Sequence, residues 1–202
     1  GTAGNAYMYL KLYQVFGDKQ YLDQAETLLS WLDNEQGGPM VGVGVDSDAW
    51  RLSLDSQAGN DNRYATGFEE GAAGIGWVYL QAHKETGQQR YLNVAEAGAN
   101  WLLNVAIKDR DGGLRWREDE NPPNRLVHAN LNNGAAGIGL FLHDVYTVSG
   151  NRAYQNGAQA ALKGLASSAK HRGYRGQYLY WSDNGGNDSY SNDPSWHWGL
   201  AG

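Results

Sequence analysis

The chain has 202 residues, 41% of them hydrophobic, enough for one sizeable core, and a formal net charge of -6. Its lysines and arginines are scattered, so the footprint of a nucleic-acid binder is missing, and the absence of cysteine removes disulfides, thiolate zinc sites and thiol nucleophiles together. No apolar run approaches the roughly 18 residues that a membrane span needs, and the compartment is left open.

The chain opens on Gly1-Thr2-Ala3-Gly4, and this G-x-A-G returns as Gly71-Ala72-Ala73-Gly74, Gly134-Ala135-Ala136-Gly137 and Gly199-Leu200-Ala201-Gly202, at separations of 70, 63 and 65 residues. Sixteen residues after each of the first three leading glycines stands another glycine (Gly17, Gly87, Gly150). A tyrosine follows four further on (Tyr21, Tyr91, Tyr154), and an alanine four beyond that (Ala25, Ala95, Ala158). Such fixed offsets define a helical repeat.

Each unit reads as two helices. The first has apolar residues at helical spacing, such as Ile75, Val78, Tyr79 and Ala82, and ends at the glycine suited to a left-handed cap. Asp18 and Asn151 are good N-caps for the second, whose Tyr91, Val94, Ala95, Ala99, Leu102 and Val105 share a face. The spacing predicts helices over 2–16 and 18–33, 72–86 and 88–107, 135–149 and 151–169. Between the units, Gly112 to Trp116 and Gly176 to Trp181 read as the same short strand, with Val41 to Trp50 as its counterpart.

Glycine and alanine at the start of each first helix let neighbouring helix ends approach, and their N–H groups are expected to point free into the space they surround. Stacked antiparallel helix pairs whose rotation closes give an all-α fold, an α/α toroid with the first helices inside and short β-strands in the inter-repeat loops; the alternative is an open solenoid. The chain is then a single repeat domain over 1–202, with units at about 1–70, 71–133 and 134–198 and a fourth starting at 199.

G-A-A-G-I-G at the start of the first helices, with Thr86-Gly87-Gln88-Gln89-Arg90-Tyr91-Leu92 after them, resembles the lanthionine synthetase C-like family over essentially the whole chain. The resemblance implies an α/α toroid of about seven stacked pairs, so a chain of three units is expected to be a fragment of a longer toroid. It also implies zinc as cofactor and thiol addition to a dehydroamino acid as chemistry. In the family's cyclases, the Cys of a W-C-Y-G motif and the Cys and His of a C-H-G motif hold the metal. Ser195-Trp196-His197-Trp198-Gly199 resembles these motifs with His197 at the cysteine position, which makes His197 the one candidate metal ligand here. The histidine that the cyclases place before G-x-x-G is replaced by Glu70 and Asn133.

The candidate catalytic residues are therefore Glu70, Asn133 and His197. Glu69 and Glu70 read either as carboxylates stabilised by a helix dipole or as acid, base or sugar-binding groups in the cavity. Asn130, Asn132 and Asn133 read first as caps and second as ligand contacts. His83 and His143 are expected on helix surfaces, and His128 and His171 in loops without metal-ligand spacing. Trp50, Trp116 and Trp181 are expected to pack strands onto helix ends, with stacking on sugar rings as a second duty. The charged run Arg115, Arg117, Glu118, Asp119 and Glu120 reads as a solvated turn. Asp46, Asp48, Asp183, Asn184, Asn187 and Asp188 are calcium-type oxygens without the order of an EF-hand loop.

Three functions stand as expectations. The first is a divergent family member modifying a peptide or small ligand in the central cavity with zinc, and the second a toroid that binds glycans or cleaves glycosides there through paired carboxylates. The third is a non-catalytic scaffold. Whether the protein is an enzyme stays open at this point; nucleic acid and a membrane span are not expected, and the remaining repeats of a longer toroid are.

Overall fold

The computed structural model describes residues 1–33, 49–50, 64–119, 127–172 and 178–181. Its helices, in chain order, are α1 (Thr2–Phe16), α2 (Lys19–Trp31), α3 (Ala72–Thr86), α4 (Gln89–Val105), α5 (Ala135–Ser149) and α6 (Arg152–Ser168). The first helix of each pair starts on the residue expected. The second starts one residue late because Asp18, Gln88 and Asn151 stand outside it as caps. Asp18 accepts from the Gln20 amide at 2.9 Å and Asn151 from the Ala153 amide at 3.0 Å. Gly17, Gly87 and Gly150 close the first helices at φ 68°, 69° and 70°, the left-handed conformation that explains glycine at this offset.

Within each pair the two helices pack along one another, while α1 packs on α3 and α3 on α5. The first helices thus form one continuous layer and the second helices cover it. At the eighth residue after each leading glycine, Tyr9 stacks on Tyr21 of α2 and Tyr79 contacts Tyr91 of α4. An alanine Cβ at Gly157 of α6 would stand 3.2 Å from the equivalent Leu142. Seven residues after the leading glycine, Val78 and Phe141 are 5% and 0% exposed, buried in this layer, whereas the equivalent Met8 on α1 is 47% exposed.

The repeated tyrosine ties successive units together. The Tyr91 hydroxyl donates to Glu26 on α2 at 3.0 Å, and the Tyr154 hydroxyl to Asn100 on α4 at 3.1 Å. Gln88 and Arg90 donate to the same Glu26 carboxylate at 2.8 and 3.3 Å. Burial first, then the Glu26 bond, pushes the Tyr91 phenol up to about 12; burial first, then the Glu96 charge, does the same for Tyr154. A phenol whose folded value lies above its unfolded value near 10 contributes stability fully below pH 10 and loses it as pH rises toward 12. Denaturant titrations across this window are expected to show a steep loss for the native protein. The Tyr91→Phe, Tyr154→Phe double variant is expected to be less stable at pH 8, by about 1 kcal/mol per lost bond, and flatter above pH 10.

The rim carries β1 (Ile107–Lys108) paired antiparallel with β2 (Leu114–Arg115), and β3 (Lys170–Arg172) paired with β4 (Tyr178–Tyr180). Both β2 and β4 fall inside the strands expected from sequence. Their partners β1 and β3, which follow directly after the outer helices, were not foreseen. Of the stretch Val41 to Trp50, only Ala49 and Trp50 lie within the described residues. Trp116 and Trp181 pack as expected, next to the rim strands and onto the ends of α4 and α6. Trp116 is fully buried and donates to the Leu102 carbonyl at 2.7 Å; Trp181 donates to the Leu165 carbonyl, the same repeat position, at 2.8 Å. Trp50 stacks on Tyr79 at 5.8 Å between ring centroids.

The charged run after Leu114 corrects the expectation of a solvated turn. Asp119 bridges to Ala65 and Arg117 to Val127, so this segment joins the loops that enter α3 and α5. Thr66 adds a hydroxyl bond to the Arg117 carbonyl at 2.6 Å and an amide bond to the Glu118 carbonyl at 3.0 Å. Asp119, at the bridge to Ala65, is only 1% exposed, whereas Arg117, at the bridge to Val127, is exposed.

Candidate functional site

Two turns of the same construction stand before α3 and α5. In the first, the Ala72 amide donates to the Ala65 carbonyl at 2.9 Å and the Ala73 amide to the Thr66 carbonyl at 3.3 Å. In the second, the Ala135 and Ala136 amides donate to the His128 and Ala129 carbonyls at 3.1 and 3.2 Å. The free N–H groups expected at these helix starts are therefore already satisfied by the preceding loop. The close approach of that loop demands glycine: a Cβ at Gly74 would lie 1.8 Å from the Phe68 carbonyl oxygen, and one at Gly137 1.9 Å from that of Leu131.

The two turns interlock. The Asn132 carbonyl accepts the Phe68 and Glu69 amides at 2.5 and 3.0 Å, and the Asn132 side chain donates to the Glu69 carboxylate at 3.0 Å. Asn130 caps its own turn by accepting the Asn133 amide at 3.0 Å. Of the candidates, Glu70 lies exposed at the end of the first turn and Asn133 half-buried at the end of the second. The side-chain hydrogen bond between the turns is made one position earlier, by Glu69 and Asn132. His197 lies outside the described residues, as do the calcium-type oxygens.

Among the histidines, His83 is held at 3.0 Å from the Gln88 carbonyl and His143 is exposed, both on helix surfaces as expected. His128 is buried, with its Nε2 3.8 Å from the Glu118 carboxylate.

Below the turns, sequence reasoning missed a column of side chains on the face of the first helices that turns away from the second helices. Residues two apart on a helix point about 200° apart, so Tyr7, Trp77 and Leu140, two before Tyr9, Tyr79 and Leu142, project away from the outer layer. All three are partly or well exposed. The Tyr7 and Trp77 ring centroids are 5.0 Å apart, and Phe68 of the first turn stands 5.6 Å from Trp77. The Trp77 indole N–H donates to Asp144 of α5 at 3.0 Å. One helical turn further along, Lys11, Gln81 and Asp144 occupy equivalent positions. The sixth-residue offset from each leading glycine was the available signal, obscured because its occupants differ in chemical type.

The donors described at the mouth do not fit the family's zinc site. They are an amide-bound carboxylate, an exposed carboxylate and side-chain amides, where that site uses thiolates and an imidazole, and among the described residues no group of three or more His, Cys, Asp or Glu could hold a metal.

A double layer of helix pairs, its first helices in mutual contact and its loops interlocked at one mouth, is the architecture of the α/α toroids. The sequence profile described as lanthionine synthetase C-like protein matches residues 1–173, and the chain belongs to that family. No curated protein matches it.

Among solved structures, similarity extends to a family 76 glycoside hydrolase from a bovine strain of Bacteroides thetaiotaomicron, with 15% identity, 84% of this chain and 35% of that chain covered, and a TM-score of 0.60. A family 76 glycoside hydrolase (mannosidase) from Bacteroides thetaiotaomicron gives 13%, 84%, 44% and 0.61 in the same order. A sugar epimerase from a ruminal bacterium gives 15%, 89%, 44% and 0.60. The chain thus spans between 35% and 44% of the length of these structures. At these identities the likeness is one of fold. No helix among the described residues is long and apolar enough to cross a membrane.

Proposed function

We propose that the lumenal face of α1, α3 and α5 binds carbohydrate, with Glu69, Glu70 and Asn132 supplying the polar contacts at the mouth. The observation that carries this reading is the partly exposed Trp77 ring, in contact with Tyr7 and Phe68 directly below the Glu69–Asn132 pair. A sugar ring has an apolar face and a rim of hydroxyls. An indole meets the first, while a carboxylate and an amide, held in fixed orientation by their mutual bond, meet the second. The carbohydrate enzymes among the fold neighbours support the reading by analogy. Cleavage of a glycosidic bond would need two carboxylates, an acid and a base or nucleophile; Glu69 and Glu70 are the pair this mouth offers. In a longer chain, a further helix pair would cover Met8 and continue the lumen.

Family membership favours a second reading, zinc-dependent thiol addition to a peptide, with His197 as ligand and the other ligands outside this chain. Titration calorimetry of the full-length protein against manno-oligosaccharides, with zinc analysis on the same sample, separates the two. Binding weakened about tenfold or more by Trp77→Ala, roughly 1.4 kcal/mol, is the result expected. Stoichiometric zinc that disappears in His197→Ala, with no saccharide bound, would replace the carbohydrate reading by the zinc one.

A further inference from the structure

Resting on the carbohydrate reading, we infer that the lumen takes a neutral oligosaccharide rather than a single sugar, and that Asp144, oriented by Trp77, is the contact for its inner end. Polar and aromatic groups lie at three successive depths. The Glu69–Asn132 pair stands at the mouth, before the helices begin. Tyr7 and Trp77 follow six residues after their leading glycines, and Lys11, Gln81 and Asp144 ten residues after theirs. Asp144 is nine residues beyond Ala135, the first residue of α5, so its Cα lies about 13 Å along the helix at the rise of 1.5 Å per residue, and its carboxylate reaches back toward the Trp77 indole edge. That span exceeds one hexose ring.

The inner level has the chemistry of a second station. The Trp77 N–H donates to one Asp144 oxygen at 3.0 Å, which anchors the carboxylate at the edge of the indole. A carboxylate has about four acceptor positions and this bond uses one, so acceptors for a pair of neighbouring hydroxyls remain. Lys11 sits over the Tyr7 ring at 5.5 Å and donates to Gln14 at 2.9 Å, placing a cation at the depth of the Asp144 anion. One charge of each sign, with Gln81 at the equivalent position of α3, leaves this level without net charge and suits a neutral ligand rich in hydroxyls. Trp77 joins the levels: its face serves a ring between mouth and interior, and its N–H holds the inner acceptor.

The test is calorimetry of the full-length protein with mannose and with mannotriose. Mannotriose is expected to bind about tenfold or more tightly than mannose. Asp144→Asn, which puts an amide in place of the acceptor pair, is expected to erase that gain while changing mannose affinity less than about twofold, and Trp77→Phe, which keeps a ring and removes the N–H, is expected to erase the gain as well. Melting curves of both variants matching the parent would show that they fold. Equal affinities for the two sugars, or a gain untouched in Asp144→Asn, would overturn the inference and leave the carbohydrate reading standing, provided Glu69→Gln weakens mannose. If neither sugar binds, both fall.

Discussion

Alanine at Gly74 or Gly137 is expected to cost about 3 kcal/mol or more, a fall in melting temperature of roughly 10 °C for a chain of this size, although alanine is intrinsically the better helix former. The added Cβ would stand 1.8 or 1.9 Å from a backbone carbonyl oxygen, of Phe68 or Leu131, and no rotamer change relieves a clash with backbone. The entering loop would have to lift off the helix, taking with it the Asn132 carbonyl bonds that join the two turns. Gly4 is the internal control. It holds the same repeat position on α1, nothing lies within 4 Å of its Cβ direction, and Gly4→Ala is expected to be neutral or stabilising by up to about 1 kcal/mol. Thermal melts of the three single variants decide the matter. If Gly74→Ala melts with the parent, the close approach of loop and helix is not real.

The second large effect is expected at Trp116. This side chain is fully buried and tethers the rim strand to the outer helix through the Leu102 carbonyl. Trp116→Ala is expected to cost about 3–5 kcal/mol, the range for emptying a large aromatic site. Trp116→Phe, which fills most of the space and removes only the N–H, is expected to cost about 1–3 kcal/mol for the buried carbonyl left unpaired. Denaturant midpoints of the two variants separate packing from tether. Equal losses would place the whole contribution in the hydrogen bond, whereas a Phe variant as stable as the parent would leave it all to packing.

The repeat offsets were legible as structure because each reports a backbone requirement or a contact made three times. Gly17, Gly87 and Gly150 mark the helix ends at positive φ, and Asp18 and Asn151 cap α2 and α6. The tyrosine offset had a visible period but no visible cause until Tyr91 was seen to reach back to Glu26, and Tyr154 to Asn100, in the preceding unit. At the mouth, sequence drew attention to Glu70 and Asn133 through the family motif. The contact between units is instead made by Glu69 and Asn132, because the turn directs alternate side chains differently and only the fold says which pair meets.

The buried Asp119 was misread for a related reason. Mixed charge describes a solvated turn, yet the segment that carries Asp119 bridges to two loops distant in sequence. Trp77 and Asp144, 67 residues apart in the chain, share no motif and meet only because α3 packs on α5.

By itself the sequence determined the helices, their pairing, their caps and the family, all of which rest on local backbone preference and on periodicity that repeats within one chain. The tertiary structure alone decided which side of each first helix turns away from the second helices and which residues of successive units touch there. Those contacts depend on the rotation between neighbouring repeats, a quantity set by packing across the layers and written at no single position of the chain.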